Sequence, residues 1–390
     1  MLKYPHLLEP HLRAASWGDQ EMLNTFFPTP ATKDNPIAEI SYTSHPHDTA
    51  SLLHKKESVP LYQFLRRQEG LILDKKVIES PINHITTIFS AKCAQPLRYA
   101  PPSTQSEEID NAQRHEKHTI IYALEEPLHL LAGLQDPVQI LENLELLSLS
   151  SIKKIIQPLK SHPPSETAVY QLLQTLFSYD SKQQEALIMQ LLDIAEQYEE
   201  FNPMYQTILA MHQANSSLKM QLFLPLFMKN FHMHQAEMLY IPPAVPLQII
   251  HGMGLEIANT TFNIKELDAK SSGSQSQTFW EELLQYPVRH PQEIHYDIHN
   301  PNIPMAKLAF RIQLINLENT FFINGKNNTI ISIVLKGKMR LSSAKGNPYH
   351  RQLPIDDLVL RKGEAFFLPM EAGGYYLEGR GICLLVESQI

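Results

Sequence analysis

The feature that most constrains the fold of this chain is an internal repeat. The stretches AEMLYIPPAVPLQIIHGMGLEI (236–257) and GEAFFLPMEAGGYYLEGRGICL (363–384) align without a gap at an offset of 127 residues. The alignment pairs an acidic residue, a proline and two glycines: Glu237 with Glu364, Pro242 with Pro369, Gly252 with Gly379, and Gly254 with Gly381. Each copy predicts a short strand, a turn with proline, a second strand, and a Gly-x-Gly turn into a third strand. The same supersecondary unit is therefore used twice, which favours two small antiparallel sandwiches or barrels.

Between the start of the chain and the first copy, residues 138–228 change to a helical pattern. The segment SKQQEALIMQLLDIAEQYEE (181–200) opens with Ser181 and Gln184 in capping-box spacing and then repeats apolar residues along one helical face. Two further segments show the same period: 167–179 and 203–214. The sequence therefore predicts a helical block inserted into a β protein. Strands resume at 328–343 and 357–369, after a polar segment that predicts a linker at 268–277.

A chain of 390 residues is too long for one compact core, so more than one domain is expected. We predict a discontinuous first sandwich at 1–137 and 216–270. The helical domain is predicted at 138–215 and the second sandwich at 271–390.

Charge and cysteine content exclude several classes of function. With 33 basic and 41 acidic residues the net charge is −8, and without a basic stripe this predicts no nucleic-acid partner and no anionic-membrane partner. Two cysteines, Cys93 and Cys383, are too few for a disulfide framework or a cysteine-rich zinc site. The first residues lack the apolar core of a signal peptide, and the apolar run 220–228 is too short to span a membrane. A cytoplasmic location is expected.

Several stretches, in order along the chain, resemble the type I phosphomannose isomerases, a family of cupin-fold enzymes. The stretches are ASWGD (15–19), NPIAEISYTSHP (35–46), CAQPLRYAPP (93–102), EKHTIIYAL (116–124), LFLPLFMKN (222–230), PLQIIHGMGLE (246–256) and LVLRKGEAFFL (358–368). The resemblance covers nearly the whole chain. It implies a mainly β fold with an α insertion, made of two cupin-type jelly rolls plus an inserted helical domain. This architecture agrees with the repeat and with the helical block.

The resemblance implies a zinc site whose ligands are absent from this chain. The family binds zinc through the Gln and His of a Q-x-H pair, the Glu of K-P-E and the His of P-H-A-Y. In this sequence the Q-x-H pair falls on Tyr99 and Pro101, or on Ala100 and Pro102 if the alignment moves by one residue; the other two positions hold Thr119 and Leu247. Proline and leucine have no side-chain donor for zinc, so a Gln/His/Glu/His site cannot form. We therefore expect no cofactor, although zinc serves the resembled family.

Other positions of the family site retain polar residues. By resemblance the candidate catalytic residues are Glu256, Lys117 and Lys265, although a gap could instead place the family's arginine on Glu266. Candidate substrate-binding residues are Trp17 and His118, and the ligand would be a sugar phosphate. For Glu256 a structural role at the start of a strand is equally open.

Four histidines are candidates for substitute metal ligands. His232 and His234 have the best H-x-H spacing, and His115 and His118 flank Lys117. We expect these histidines to be mostly solvated or structural. Glu39 and His45 are expected to belong to a structural network.

The predicted function is that of a mannose-6-phosphate isomerase-like protein that has lost zinc-dependent aldose–ketose isomerisation and retains a binding or regulatory role. One alternative is an active or weakly active isomerase of mannose 6-phosphate and fructose 6-phosphate with substitute metal ligands. A second alternative is a structural or interaction protein. Whether the chain is an enzyme is left open by the sequence, and no protein partner is indicated.

Overall fold

The computed structural model describes residues 4–30, 35–44, 49–54, 57–69, 84–102, 116–147, 152–153, 156–160, 165–215, 220–259, 264–267, 273–295, 308, 310–325, 328–344, 347, 357–370 and 372–388. Its strands, in chain order, are β1 (His6–Glu9), β2 (His11–Ala14), β3 (Ile37–Tyr42), β4 (Ser51–His54), β5 (Glu57–Pro60), β6 (His84–Ala91), β7 (Leu97–Tyr99), β8 (Thr119–Ala123), β9 (Leu128–Leu134), β10 (Met228–Met233), β11 (Met238–Ile241), β12 (Leu247–Asn259), β13 (Lys265–Leu267), β14 (Gln292–Ile294), β15 (Phe310–Leu317), β16 (Thr320–Gly325), β17 (Ile330–Ser343), β18 (Asp357–Arg361), β19 (Ala365–Leu368) and β20 (Gly373–Ser388). The α-helices are α1 (Gln20–Phe26), α2 (Leu61–Glu69), α3 (Pro137–Leu146), α4 (Glu166–Phe177), α5 (Ser181–Tyr198), α6 (Pro203–Ala214) and α7 (Gly273–Leu283). Short 3-10 helices occur at Gln157–Lys160 and Met220–Leu226.

The first jelly roll is built on an 11-stranded antiparallel sheet that contains β2, β3, β6–β14. Its long strand β12 pairs with β7 and β9 near its start and with β6 and β8 after Gly252. One strand therefore contributes to both walls of the sandwich. The walls enclose a buried cluster that includes Trp17, Phe89, Leu130 and Ile249.

The second jelly roll is built on a 9-stranded antiparallel sheet that contains β15–β20 together with β1, β4 and β5. The N-terminal strand joins this sheet because β1 pairs with β19, with His6 opposite Phe367. Strands β15 and β16 follow one another along β20, which bends between them and encloses a second buried cluster around Leu377 and Leu385. A third cluster takes residues from both sheets, including Tyr42 and Leu255 from the first and Phe367 from the second.

The helical block lies on the first jelly roll and shares one core with it. Buried residues of α4, α5 and α6 belong to the same cluster as Leu97 and Tyr99 of β7. The predicted linker is wrong for residues 273–277, because helix α7 begins at Gly273. This helix places Trp280 in the core, with its ring centroid 5.4 Å from that of Phe177. Residues 268–272 of the predicted linker lie outside the described residues.

The predicted start of helix α5 is displaced by one residue. Asp180, rather than Ser181, is the N-cap, and its carboxylate accepts a hydrogen bond from the backbone N–H of Gln183 at 2.9 Å. The Gln183 side chain accepts in return from the Asp180 backbone N–H at 3.2 Å. The capping box is therefore Asp180–Gln183, since aspartate is at least as good an N-cap as serine.

The repeat adopts the same unit in both jelly rolls. At the turn before β11, the Glu237 carboxylate accepts a hydrogen bond from the backbone N–H of His234 at 2.8 Å. At the turn before β19, the Glu364 carboxylate accepts a hydrogen bond from the backbone N–H of Arg361 at 2.7 Å. Matched backbone hydrogen bonds close the following turns, from Val245 to Pro242 and from Ala372 to Pro369. The prediction of one supersecondary unit used twice is thereby confirmed.

The predicted third strand of each copy is wrong, because the Gly-x-Gly sequence does not form a turn. Strands β12 and β20 continue through it, and the first glycine of each pair has positive φ, 107° at Gly252 and 133° at Gly379. A Cβ added to Gly252 would lie 2.4 Å from the Pro127 carbonyl oxygen, and one added to Gly379 would lie 2.5 Å from that of Lys338. Glycine therefore permits a bend and a close approach of backbones inside one long strand.

The mainly β fold with two jelly rolls and a helical insertion is as predicted from the sequence. Strands β1, β4 and β5 lie in the second sheet, and β14 pairs with β11 in the first. The predicted domain boundaries stay a prediction, because pairing shows where an element lies and not which segments fold independently. No helix among the described residues combines the length and apolar character that crossing a membrane would require.

Candidate functional site

A small cavity in the first jelly roll is bordered by several of the candidate site residues, together with residues that the sequence did not indicate. Its lining comprises Arg98, Tyr99, Ala100, Lys117, Thr119, Ile241, Pro242, Val245, Leu247, Glu256 and Ile264. The cavity volume is about 20 Å³. This is close to the space that one water molecule needs and far below the roughly 300–1,000 Å³ of small-molecule pockets.

The bend of β12 and the start of β8 bring these residues together. Leu247 and Glu256 lie on β12 on either side of the bend at Gly252, and Leu247 is opposite Arg98 of β7. Thr119 is the first residue of β8, which places Lys117 just before that strand. One cavity is therefore lined by four of the residues that the motif resemblance assigned to the family's site: Thr119, Leu247, Lys117 and Glu256.

Glu256 is held between two cations. The guanidinium Nη2 of Arg98 donates to Glu256 Oε2 at 2.6 Å, and Lys117 Nζ lies 2.8 Å from Glu256 Oε1. All three side chains are largely buried, with exposed fractions of 13% for Arg98, 11% for Lys117 and 10% for Glu256. We call these three residues the ion triad. Both carboxylate oxygens are used inside the triad, as expected for a charge that is buried away from water.

The charges of the ion triad stabilise one another's ionised forms. Burial alone would raise the pKa of Glu256, but the charges of Arg98 and then of Lys117 outweigh it and lower this pKa to about 2. Burial would also lower the pKa of Arg98, but nearby carboxylates, Glu256 first and then Glu39 and Glu266, raise it. Glu256 is therefore a carboxylate with little affinity for a proton near neutral pH.

The residues around the cavity do not fit a zinc ion. Zinc requires several neutral imidazole, thiolate or carboxylate donors. Leu247 and Ala100 offer no donor atom, Thr119 offers a neutral hydroxyl, and the single carboxylate of Glu256 is neutralised by two buried cations. Among the residues that the structure describes, no group of three or more His, Cys, Asp or Glu side chains is arranged to hold a metal ion. No chemical step through a metal is therefore derived for this site.

Other predicted site residues lie outside this cavity lining. Trp17 is buried in the core of the first jelly roll. His118 Nδ1 lies 2.6 Å from the Tyr240 hydroxyl, with the two rings stacked. Lys265 Nζ lies 3.1 Å from a carboxylate oxygen of Glu282.

The residues predicted at the family's Q-x-H positions border the cavity only in part. Tyr99 and Ala100 both line it, and the Tyr99 ring packs on Phe279 with ring centroids 5.0 Å apart. Pro101 and Pro102 are not part of the lining. The roles of these residues stay predictions.

The other histidines form local contacts. His232 of β10 lies opposite His129 of β9, with ring centroids 4.0 Å apart, and His129 Nε2 lies 2.5 Å from Asn230 Oδ1. Burial and then His232 lower the pKa of His129 to about 4. His234 follows β10 and lies 3.1 Å from Glu126. His115 and His45 lie outside the described residues, and Glu39 pairs with Arg13 at 3.2 Å.

Sequence reasoning missed Arg98, the central cation of the site. Tyr99 and Leu97, on either side of it in β7, face the helical core, so strand alternation turns Arg98 toward Glu256. A signal was present in the sequence. The motif resemblance pointed to Lys117 and Glu256, and a buried carboxylate needs a cationic partner. An arginine that alternates with apolar residues in a neighbouring strand is a candidate for that partner.

Comparisons with known proteins give a likeness in structure but not in sequence. No family model matches the chain, and no curated protein matches it in sequence. A crystal structure of a phosphomannose isomerase variant from Salmonella typhimurium is similar, with a TM-score of 0.78, 16% sequence identity and coverage of 99% of this chain and 100% of that chain. A zinc-bound mannose 6-phosphate isomerase gives the same TM-score, identity and coverage.

A mannose 6-phosphate isomerase bound with zinc and yttrium is similar at a TM-score of 0.77 and 15% identity, again over 99% of this chain and 100% of that chain. At such low identity the likeness concerns the fold, and the activities named for these proteins are theirs. The resemblance inferred from ordered motifs is thereby confirmed for the fold: from end to end, this chain is folded like the phosphomannose isomerases.

Proposed function

We propose that this protein is an isomerase-like binding or regulatory protein whose first jelly roll does not catalyse zinc-dependent isomerisation. The observation that carries this proposal is the ion triad, in which Arg98 and Lys117 both pair with the carboxylate of Glu256. The motif resemblance assigns Glu256 and Lys117 to the family's active site. The site is occupied by the protein's own charges.

Charge argues against a general base at this site. Moving a proton between neighbouring carbons of an aldose requires a base whose pKa is close to the working pH. The pKa of Glu256 is lowered to about 2, and each of its oxygens already accepts from a cation. A carboxylate in this state is a poor acceptor for a carbon-bound proton.

Space argues against a sugar phosphate at the same place. The cavity of about 20 Å³ cannot admit a phosphorylated hexose unless the surrounding strands separate. A phosphate would also have to compete with Glu256 for Arg98 and Lys117, and with Glu282 for Lys265. Loss of isomerisation, a binding or regulatory role, and a cytoplasmic location remain parts of this proposal.

The proposal is tested by a coupled isomerase assay on the purified full chain with mannose 6-phosphate. The assay is run with added zinc and again after treatment with a chelator, and the zinc content is measured by mass spectrometry. A zinc-bound mannose 6-phosphate isomerase serves as the positive control. We expect turnover indistinguishable from that of buffer, and no stoichiometric zinc.

Chelator-sensitive turnover would overturn the proposal and favour an isomerase with substitute metal ligands. In that case the Glu256→Gln variant separates two explanations. Loss of turnover in this variant, with circular dichroism showing that it is still folded, would place the reaction at the ion triad, whereas unchanged turnover would place it elsewhere in the chain.

A further inference from the structure

A second and larger pocket lies in the second jelly roll, between the two arms of its bent sheet. Strand β15 and the last residues of β20 line one side with Arg311, Gln313 and Glu387, and strand β16 lines the other. The pocket has a volume of about 240 Å³, against about 20 Å³ for the cavity of the first jelly roll. Mouths of β-barrels are common positions for ligand sites. The volume lies just below the roughly 300–1,000 Å³ of small-molecule pockets, which limits a ligand to about the size of one sugar ring.

The charges of this pocket cancel. Arg311 Nε donates to Glu387 Oε2 at 2.8 Å, and Arg311 Nη2 donates to the same oxygen. Glu387 is buried, while the Arg311 side chain is 43% exposed and forms part of the pocket wall. These are the two charged side chains among the described residues that line the pocket. An anionic ligand would therefore find no excess cation, and a neutral ligand is favoured.

The remaining lining residues of the pocket carry amide, aromatic or aliphatic side chains. Gln313, Asn324 and Asn328 contribute amide side chains, each of which can both donate and accept hydrogen bonds. Phe321 and Phe322 both line the pocket, and Phe321 packs against the core of the second jelly roll. Phe322 is 51% exposed, and its ring centroid lies 5.5 Å from that of Tyr376. A ring that carries neighbouring hydroxyl groups on its edge and C–H groups on its face matches such a wall, because hydroxyls donate and accept and the C–H face packs on an aromatic ring.

We propose that the second jelly roll binds a small neutral polyhydroxylated ligand, of the size of a monosaccharide, in this pocket. The inference goes beyond the function proposed for the first jelly roll and rests only on residues of the second. It therefore holds or fails independently of whether the chain isomerises mannose 6-phosphate.

The test is ligand-observed saturation-transfer NMR on the full chain with D-mannose, D-glucose and D-fructose as probes. Mannose 6-phosphate is the anionic comparator. We expect saturable binding of at least one neutral sugar with a Kd of about 1 mM or below, the range that a ligand of this size reaches. Mannose 6-phosphate should bind more weakly than mannose.

Two variants locate the binding in the pocket. Phe322→Ala removes the exposed aromatic face and Asn328→Ala removes an amide, and each should weaken binding by roughly fivefold or more. Phe201→Ala is the matched control, because Phe201 is 80% exposed in the helical block and far from the pocket in the fold. It should bind like the unchanged protein. The melting temperature of each variant shows whether it is folded.

Three results would overturn the proposal. The first is no saturable transfer from any neutral sugar. The second is a sugar Kd that is the same in Phe322→Ala and Asn328→Ala as in the control Phe201→Ala. The third is tighter binding of mannose 6-phosphate than of mannose, which would indicate an anion site.

Discussion

In the first jelly roll, Glu256 lies between Arg98 and Lys117 beside a cavity of about 20 Å³. In the second, Glu387 pairs with Arg311 at the wall of a pocket of about 240 Å³. The two jelly rolls share the repeated turn and the bent long strand, yet their interiors differ in volume, in net charge and in access to water. The position 127 residues after Glu256 is Cys383, a buried thiol whose pKa burial raises to about 12.

This difference teaches that the repeated unit specifies the walls of each jelly roll and leaves the contents variable. Turn hydrogen bonds of Glu237 and Glu364, and the bends at Gly252 and Gly379, recur in both copies. Apolar interior positions recur, as in Leu239 with Phe366 and Ile241 with Leu368. The charged and polar side chains that line the two cavities do not recur, because each cavity is completed by strands from different parts of the chain. The repeated scaffold can therefore hold a buried ion triad in one copy and a larger pocket with a partly exposed ion pair in the other.

The largest expected effect is a difference in stability between removing the carboxylate of the buried ion triad and removing that of the partly exposed Arg311–Glu387 pair. Glu256→Gln leaves Arg98 and Lys117 buried without their counter-charge, so it should lower the free energy of unfolding by roughly 3–5 kcal/mol. Glu387→Gln leaves Arg311 able to hydrate, because its side chain is 43% exposed, and should cost about 1 kcal/mol. Urea unfolding followed by circular dichroism measures both.

For the first jelly roll, the fluorescence of Trp17 in a Trp280→Phe background gives a local probe, since these are the two tryptophans of the chain. Equal losses for the two Glu→Gln variants would contradict the difference in burial on which the comparison rests.

Acid should weaken the first jelly roll through the same carboxylate. The pKa of Glu256 is about 2 in the folded chain against an ordinary value of 4.5, so its contribution is fully present above about pH 4.5 and is lost as the pH falls toward 2. The loss amounts to roughly 3 kcal/mol over that interval. Unfolding free energies measured across this range should fall less steeply for Glu256→Gln than for the unchanged protein. Parallel curves would show that Glu256 does not carry the acid dependence.

The bends should respond alike in both jelly rolls. Gly252→Ala and Gly379→Ala each force a side chain into positive φ against a backbone carbonyl, which should cost at least roughly 1–3 kcal/mol. The control is Ala236→Gly, at a position where the first copy already carries alanine at φ 72° and the second carries Gly363. That variant should stay within about 1 kcal/mol of the unchanged protein. A large cost at one bend only would break the equivalence of the two units.

The smallest effect is expected when the whole ion triad is removed. The triple variant Arg98→Met, Lys117→Leu, Glu256→Leu replaces all three charges with apolar side chains of similar length, so it should unfold within about 1 kcal/mol of the unchanged protein or be more stable. The single variant Arg98→Met, which leaves Glu256 with one cation, is the control and should be clearly less stable. If the triple variant loses as much as Glu256→Gln, mutual neutralisation is not the main role of the triad.

Features that depend on neighbours in the chain could be predicted from the sequence. The repeat, its acidic turn residues and helices such as α6 (Pro203–Ala214) follow from local hydrogen bonds and from hydrophobic period. The sequence also predicts that the family's zinc ligands are missing, because Leu247 and the prolines at the positions assigned by resemblance carry no donor atom. Errors arose where a local pattern had two outcomes, as in the polar segment that becomes α7 once Trp280 packs on α4.

Tertiary structure alone decided which charges meet. Arg98 and Glu256 are 158 residues apart, and Arg311 and Glu387 are 76 apart, so no local pattern indicates either pair. Their contact depends on the order of strands in each sheet and on the face to which each side chain points. The sequence by itself determined the two jelly rolls and led to the prediction that the family's zinc ligands are missing. The volume of each cavity and the burial of its ion pairs were decided by packing, because the volume and charge of a cavity are properties of all the strands that surround it.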